Sequence, residues 1–276
     1  MTKTVLITGT SSGLGRATAK LFQAEAWNVV ATMRRPESET ELTRLDNTLV
    51  TRLDVEDPTT ITAAVRAGLD RFGRLDALVN NAGYGAYGPL EATPMAKIRR
   101  QFEVNVFGLL ATTQAVLPYL REQRSGVIVN VSSIGGRLTF PFGTPYHGAK
   151  FAVEGISEAL WYELGTVGVR VKLVEPGGIR TDFGGRSFDF SNEPVIADYQ
   201  PNIGRVFDVL GPLMADGGSE PEHIADTVFT AVTDGTDRLR YEAGTDGITM
   251  LASWRAADDT SFLAGIRQQF GLADVS

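Results

Sequence analysis

Apolar residues fall along the chain in short, nearly continuous runs: Thr4 to Thr8, Val29 to Met33, Leu49 to Leu53, Ala77 to Asn80, Val127 to Val131, Val169 to Val174 and Leu239 to Tyr241. Runs of this length without regular polar alternation predict strands buried on both faces of a parallel sheet. Between them the apolar positions shift to helical spacing. After Asp57, an N-cap, and Pro58, a first helical residue, Ile61, Ala64, Val65, Leu69 and Phe72 mark one face of a helix. Strands and helices in alternation, joined by right-handed crossovers, predict a doubly wound α/β fold, a parallel sheet of about seven strands with helices on both faces.

At roughly 150 residues per domain the length allows two domains, but no repeat, low-complexity tract or Pro/Gly/Ser linker divides the 276 residues. The unbroken alternation predicts one domain over 1–276. Its nearest approach to a linker, Ala215 to Pro221, reads as a loop before a helix starting near Glu222.

Composition narrows the chemistry. With no cysteine there is no disulfide, zinc-cysteine site, iron-sulfur cluster or thiolate nucleophile, so catalysis rests on oxygen, nitrogen or a bound cofactor. A net charge of -7 argues against a nucleic-acid partner and reads as a solvated acidic surface. The apolar run between Met1 and Gly9 is too short for a signal peptide or membrane span, so the expected location is cytoplasmic. His147 and His223 lack metal-ligand neighbours at useful spacing and are expected to be structural, with no metal bound.

Directly after the first strand stands Thr8-Gly9-Thr10-Ser11-Ser12-Gly13-Leu14-Gly15, followed by a helical run with Ala17, Leu21 and Phe22 on one face. Glycines there permit a tight turn and close approach to a diphosphate, whose charge the free N–H groups of the helix start attract. A mere structural turn is the alternative for a glycine cluster alone. The second strand ends Met33-Arg34-Arg35, where dinucleotide folds place an acid for ribose hydroxyls or a base for a 2′-phosphate. Met33 is not acidic and two arginines follow, which favours NADP over NAD; the alternative is a solvated arginine pair. Asp54, ending the third strand, is a candidate for the adenine amino group or for a helix cap.

Thr144-Pro145 supplies an N-cap and a first helical proline for a helix carrying Tyr146 and Lys150. A spacing of four puts both on one face, close enough for the ammonium to favour a tyrosinate. Free tyrosine titrates near ~10, so acid/base work at neutrality requires lowering it by roughly three pH units, about 4 kcal/mol. Ser133, at the carboxyl end of the fifth strand, stands where a parallel sheet presents ligand-contacting groups. Asn105 lies in a helix amid apolar Val104, Val106 and Phe107, where its amide must find partners.

Together, Thr8-Gly9-(three residues)-Gly13-Leu14-Gly15, Asn80-Asn81-Ala82-Gly83, Asn105, Ser133, Tyr146-(three residues)-Lys150 and Pro176-Gly177-Gly178-Ile179-Arg180-Thr181 resemble the short-chain dehydrogenase/reductase superfamily, over residues 4–181. The resemblance implies a Rossmann-type fold and an oxidoreductase interconverting a carbonyl and a secondary alcohol by hydride transfer. It implies Tyr146 as general acid/base, Lys150 lowering its pKa and binding the nicotinamide ribose, Ser133 positioning the carbonyl and Asn105 holding a relay water. Gly9, Ser11, Ser12, Gly13, Leu14 and Gly15 would hold the diphosphate, and Asp54, Val55, Asn80, Ala82 and Gly83 the adenosine side. Pro176, Gly177, Ile179 and Thr181 would hold the carboxamide, and Ser12, Arg34 and Arg35 the 2′-phosphate. Ser12 departs from the basic residue of many NADP-dependent relatives, which leaves Arg34 as the principal charge. An NAD-linked alcohol dehydrogenase is the neighbouring reading, a non-catalytic dinucleotide sensor the distant one. Members of the family form homodimers or homotetramers through the helix after the Asn105 unit and the Tyr146 helix.

Beyond Thr181, Phe183, Phe188, Phe190, Val195, Ile196 and Tyr199 precede a helical run with Ile203, Val206, Phe207, Leu210 and Met214, which Gly211-Pro212 is expected to disturb. The resemblance implies a lid over 182–218 and an apolar small-molecule substrate; a core or subunit interface is the alternative. Tyr84, Tyr87, Phe140 and Phe142 are candidate pocket walls. A C-terminal extension over 245–276, with Trp254, Phe262, Ile266 and Phe270, is similar in outline to 17β-hydroxysteroid and retinol dehydrogenase-like members.

Overall fold

The computed structural model of the chain describes residues 2–180, 187–215 and 218–272. The strands are β1 (Thr4–Ile7), β2 (Asn28–Met33), β3 (Thr48–Arg52), β4 (Ala77–Asn80), β5 (Gly85–Tyr87), β6 (Gly126–Val131), β7 (Val169–Pro176), β8 (Phe188–Phe190) and β9 (Arg240–Ala243). The helices are α1 (Gly13–Ala24), α2 (Pro58–Phe72), α3 (Met95–Phe102), α4 (Gly108–Gln123), α5 (Thr144–Gly165), α6 (Gln200–Ala215), α7 (Pro221–Thr233), α8 (Thr245–Ala256) and α9 (Asp259–Gln269). Seven strands form a parallel sheet in the order β3-β2-β1-β4-β6-β7-β9.

Side-chain parity along each strand builds two core layers. Val5 and Ile7 of β1 join α1 residues Leu14 and Phe22 and α7 residues Ile224 and Val228 on one face. Leu6, between them, turns to the other face with Ile61 and Val65 of α2, Val116 and Leu120 of α4 and Leu164 of α5. This double burial is why the strands are continuous apolar runs. The chain moves outward from β1 through β3, then crosses back to β4 on the other side of β1, so the order reverses between β1 and β4 and opens a crevice at their carboxyl ends.

Local chemistry sets the ends of the elements. Asp57 caps α2, its Oδ1 accepting from Thr59 N at 3.0 Å, and Gly73 closes it with a left-handed φ of 76°. The cap of α5 is Gly143 and not Thr144, because the Gly143 carbonyl already accepts His147 N at 2.8 Å and Thr144 is the first helical residue. Gly211-Pro212 does not interrupt α6, which runs through Pro212. Packing of Val206, Val209 and Leu210 against Ile266 and Phe270 holds the preceding turns and overrides the local preference. Asn105 sits in a π-helical turn, Glu103–Phe107, between α3 and α4. A second, two-stranded parallel sheet pairs β5 with β8 and was not expected from the sequence. No described helix is long and apolar enough to cross a membrane.

Candidate active site

Residues after β1 and β4 meet in the crevice. Thr8 Oγ1 accepts from the backbone N–H groups of Asn81 and Ala82, both at 3.0 Å, and Asn81 Nδ2 donates to the carbonyls of Thr8 at 2.9 Å and Gly9 at 3.2 Å. Gly9 has a φ of 74°, and a Cβ on Gly15 would fall on the Gly9 carbonyl and 2.5 Å from Asn81 Nδ2. Glycine is therefore required at both positions. Ser12 caps α1 in extended backbone without a side-chain bond, so the first-turn N–H groups of the helix are left for an anion.

A cleft of about 700 Å³ runs from this loop across the sheet edge. Gly9, Ser11, Ser12, Gly13, Leu14, Gly15, Arg34, Asp54, Val55, Ala82, Gly83, Ser133, Tyr146, Lys150, Pro176, Gly177 and Ile179 line it. Arg34 is exposed and forms no ion pair among the described residues, whereas Arg16, on the outer side of α1, is committed to Glu39 and Glu41. Asp54 is not a helix cap: its Oδ1 accepts from Glu56 N at 3.2 Å, and Asp57 caps α2.

Two expected contacts lie elsewhere. Asn80 is buried behind the wall, its Nδ2 donating to Thr113 Oγ1 at 3.0 Å and Asn130 Oδ1 at 2.9 Å, and Asn81 takes the place in the cleft. Strand parity explains the exchange, since β4 turns Asn80 inward before the chain leaves the sheet. Arg35 is exposed and outside the cleft, where the chain turns into the Pro36–Ser38 turn. Thr181 and Phe183, together with the Met214 side chain, lie outside the described residues.

At the other end, α5 carries Tyr146 and Lys150 into the cleft floor. Tyr146 hydrogen-bonds the Ser133 side chain. Ser133, at the end of β6, accepts from Gly135 N at 3.0 Å and donates to the Pro176 carbonyl at 3.5 Å. Lys150 Nζ donates to the Val131 carbonyl at 2.9 Å and lies 5.9 Å from the Tyr146 ring centre. Burial raises the Tyr146 phenol above its ordinary value and the Ser133 bond opposes that rise. The expected lowering by Lys150 is not found: burial brings Lys150 itself down to about 8, with the Glu154 carboxylate opposing. Asn105 holds Tyr84 with its side chain, accepting from its N–H at 3.1 Å and donating to its carbonyl at 2.9 Å, and is not among the residues that line the cleft.

His147 follows Tyr146 and is buried with both ring nitrogens engaged, Nδ1 on the Gly135 carbonyl and Nε2 accepting from Phe140 N, each at 2.9 Å. It ties the 135–140 loop to α5. The apolar end of the cleft is walled by Tyr84, Tyr87, Phe140, Leu210, Met250 and Phe270. Phe142, expected there, instead packs under Tyr199 with ring centres 6.4 Å apart. Sequence reading missed Asn81 and Asp246: Asp246 Oδ2, at the start of α8, accepts from Gly178 N at 2.6 Å. A doublet of asparagines after β4 was a visible signal for the first; nothing local signalled the second.

Comparison with known proteins places this geometry. The family model described as short chain dehydrogenase matches residues 3–191. An uncharacterized oxidoreductase of Schizosaccharomyces pombe is 42% identical over 240 residues, 87% of this chain and 100% of that protein. The crystal structure of a short-chain dehydrogenase from Streptomyces avermitilis aligns with a TM-score of 0.79 at 35% identity, covering 93% of this chain and 95% of that one. Two more distant structures, each 25% identical and covering 88% of this chain, are ElxO with NADP bound, at a TM-score of 0.71 over 98% of its length, and a Brucella melitensis 3-ketoacyl-(acyl-carrier-protein) reductase complexed with NADH, at 0.72 over 96%. With the family model covering more than half the chain, and with the glycine loop, Ser133, Tyr146 and Lys150 assembled in one cleft, this protein belongs to the short-chain dehydrogenase/reductase family of oxidoreductases.

Proposed function

We propose that the protein is an NADP(H)-dependent oxidoreductase that interconverts a carbonyl and a secondary alcohol on an apolar small molecule. The observation that carries this reading is the Tyr146–Ser133 hydrogen bond, with Lys150 beside it, at the floor of a cleft that continues to the glycine loop. The cradle fits a dinucleotide: Gly15 leaves no room for a Cβ, Gly9 takes a left-handed φ, and the α1 N-terminus and Arg34 supply positive potential for phosphates. When bound, the nicotinamide supplies or accepts the hydride. Everything else falls to side chains of this chain. Ser133 Oγ orients the substrate oxygen, and Tyr146 gives it a proton during reduction or removes one during oxidation. The Lys150 ammonium lowers the cost of the tyrosinate that reduction leaves behind. By the family resemblance, Asn105 holds the water that returns the proton.

Aromatic and aliphatic walls at Tyr84, Phe140, Met250 and Phe270 support an apolar substrate. Exposed Tyr119 on α4 and Phe151 and Tyr162 on α5 support a homodimer or homotetramer joined through these helices. The test is oxidation of NADPH and of NADH by the purified protein against ketones, aldehydes, steroids and quinones, with Tyr146→Phe in parallel. NADPH-linked turnover that disappears in the variant is the expected result. Turnover surviving Tyr146→Phe would overturn the assignment of the acid.

A further inference from the structure

Behind Lys150 lies a group of buried charges that the reaction proposed above does not use. Glu154 stands one turn beyond Lys150 on α5, and Glu175 stands on β7 next to Pro176; they are 5% and 0% exposed. Arg240 Nε lies 3.0 Å from Glu154 Oε2 and 3.5 Å from Glu175 Oε1, and Arg137 lies 3.1 Å from Glu175 Oε1. Around them, Glu158 of α5 takes the other side of Arg240 at 2.6 Å, Trp254 of α8 lies under Arg137, and Glu242, level with Glu175 on β9, pairs with Arg255. The second oxygens, Glu154 Oε1 and Glu175 Oε2, are buried without any hydrogen-bond donor, and so is Ser132 Oγ. Gly136 binds the group to the active site: a Cβ there would stand 2.8 Å from Ser132 Oγ, 2.9 Å from Glu154 Cγ and 3.0 Å from the Lys150 carbonyl.

Two ionised carboxylates, each with an orphaned buried oxygen and one arginine N–H between them, are a costly arrangement. A proton on Glu175 removes the like-charge repulsion and turns its orphaned oxygen into a donor, because a carboxylic acid donates where a carboxylate only accepts. Burial and the nearby Glu154 charge push Glu175 up to about 7, against the pull of Arg137 and Arg240, whereas the Glu154 charge supports the Lys150 ammonium.

We infer that Glu154 and Glu175 share one proton carried by Glu175, and that ionised Glu154 is the positioning residue that keeps Lys150 an ammonium. The inference rests on the reading of Lys150 as the cation beside Tyr146. It gives this cleft a rear electrostatic wall: below neutrality Glu175 is neutral, which spares Glu154 a like charge, and Glu154 spends its charge on Lys150.

Infrared spectra of the whole protein below and above neutrality test the first half. The carbonyl stretch of a buried carboxylic acid is expected in the wild type at low pH, lost as pH rises and absent in Glu175→Gln. A band that survives Glu175→Gln, or no band, overturns the assignment. Lysine labelled with ¹³C at Cε tests the second half, with the Lys150 signal identified by its loss in Lys150→Met. Glu154→Gln is expected to move its titration midpoint down by about one pH unit, a tenfold loss of proton affinity, and Glu175→Gln to leave it in place. Should Glu154→Gln not fold, Glu154→Asp moves it in the same direction by less. A midpoint indifferent to both Glu154 variants overturns the inference. The alkaline limb of kcat/KM separates the two claims: a limb that stays put while the Lys150 midpoint moves overturns the catalytic reading of Lys150 and leaves the carboxyl pair standing.

Discussion

The rings of Tyr87 and Tyr146 face each other with centres 5.3 Å apart and planes tilted by 31°. Tyr87 ends β5 and also packs on Phe188 of β8 at 5.1 Å, followed by Phe190 and, 4.7 Å further, Phe207 of α6. The small two-stranded sheet thereby carries a run of aromatic contacts from Phe207 of α6 to the Tyr146 ring. Its burial is also what holds the Tyr146 phenol up.

Removing the ring from this stack is expected to be felt in stability and in the phenol together. Tyr87→Ala leaves a cavity against Tyr146 and costs about 3–5 kcal/mol, read by chemical denaturation, whereas Tyr87→Phe stays within about 1.5 kcal/mol. With water admitted, the Tyr146 phenol moves back down toward its ordinary value. Ultraviolet difference titration of the variant, with and without Tyr146, reads that movement; an unchanged titration would mean that Tyr87 does not shield the phenol.

The glycine loop yields a sharper test, because its requirement is steric. A methyl on Gly15 would collide with the Gly9 carbonyl and Asn81 Nδ2, both fixed through Thr8 to β4. Gly15→Ala is expected to weaken dinucleotide binding by about a hundredfold while the protein remains folded, since strain of roughly 1–3 kcal/mol falls on the loop alone. Fluorescence titration with NADPH reads the affinity, and circular dichroism reads the fold.

How much of this was legible in the sequence depends on the distance over which each feature is encoded. Gly9, Gly13 and Gly15 are read together because one turn needs them all, and Tyr146 with Lys150 because one helical turn separates them. Local rules also placed Asp57 at the start of α2. Asn81 and Asp246 act across 72 and 68 residues of chain, on Gly9 and Gly178, and no local pattern records such a contact. The β5–β8 sheet escaped notice because each strand has three residues, too few for a period to show. Pro212 misled for the opposite reason, since local preference disfavours a helix that tertiary packing keeps.

On the function proposed above, cofactor preference turns on Arg34, exposed at the cleft and without an ion pair among the described residues. A charge-assisted bond to a 2′-phosphate is worth about 1.5–3 kcal/mol. Arg34→Asp is expected to weaken NADPH roughly ten- to hundredfold and to leave NADH equal or better, inverting the preference. Calorimetric binding of both dinucleotides to wild type and variant checks it. Unchanged NADPH affinity removes Arg34 from the phosphate site.

His147 makes stability depend on pH with a definite sign. Burial lowers its pKa below 6.5, and both nitrogens hold backbone groups of the 135–140 loop only when the ring is neutral. A lowered folded-state value means that its contribution is complete above the unfolded value and is lost as pH falls through the folded one. Glu175, raised to about 7, works oppositely: its contribution is complete below the unfolded carboxylate value and is lost as pH rises through about 7. Denaturation of wild type and His147→Gln at several pH values separates them. The difference between the two proteins is expected to shrink below pH 6.5, whereas a constant difference would mean that the ring stays neutral throughout.

Asp246 ties the start of α8 to the segment that follows β7. Its Oδ2 accepts from Gly178 N at 2.6 Å, and a Cβ on Gly177 would collide with the same carboxylate. Gly247 presses from behind, since a Cβ there would stand 2.7 Å from Gly177 N. The start of α8 thus holds the 176–179 segment, which the family resemblance assigns to the nicotinamide carboxamide, against the end of β7. Asp246→Ala orphans the Gly178 N–H, a loss of about 1–3 kcal/mol that falls on this segment and not on Ser133 or Tyr146. The expected outcome is a KM for the dinucleotide raised about tenfold, with the KM for the carbonyl little changed. Asp246→Asn, which keeps an acceptor oxygen at the same reach, recovers most of it. If the carbonyl KM rises instead and the dinucleotide is bound as before, Asp246 belongs to the substrate wall that Met250 forms one turn further along α8.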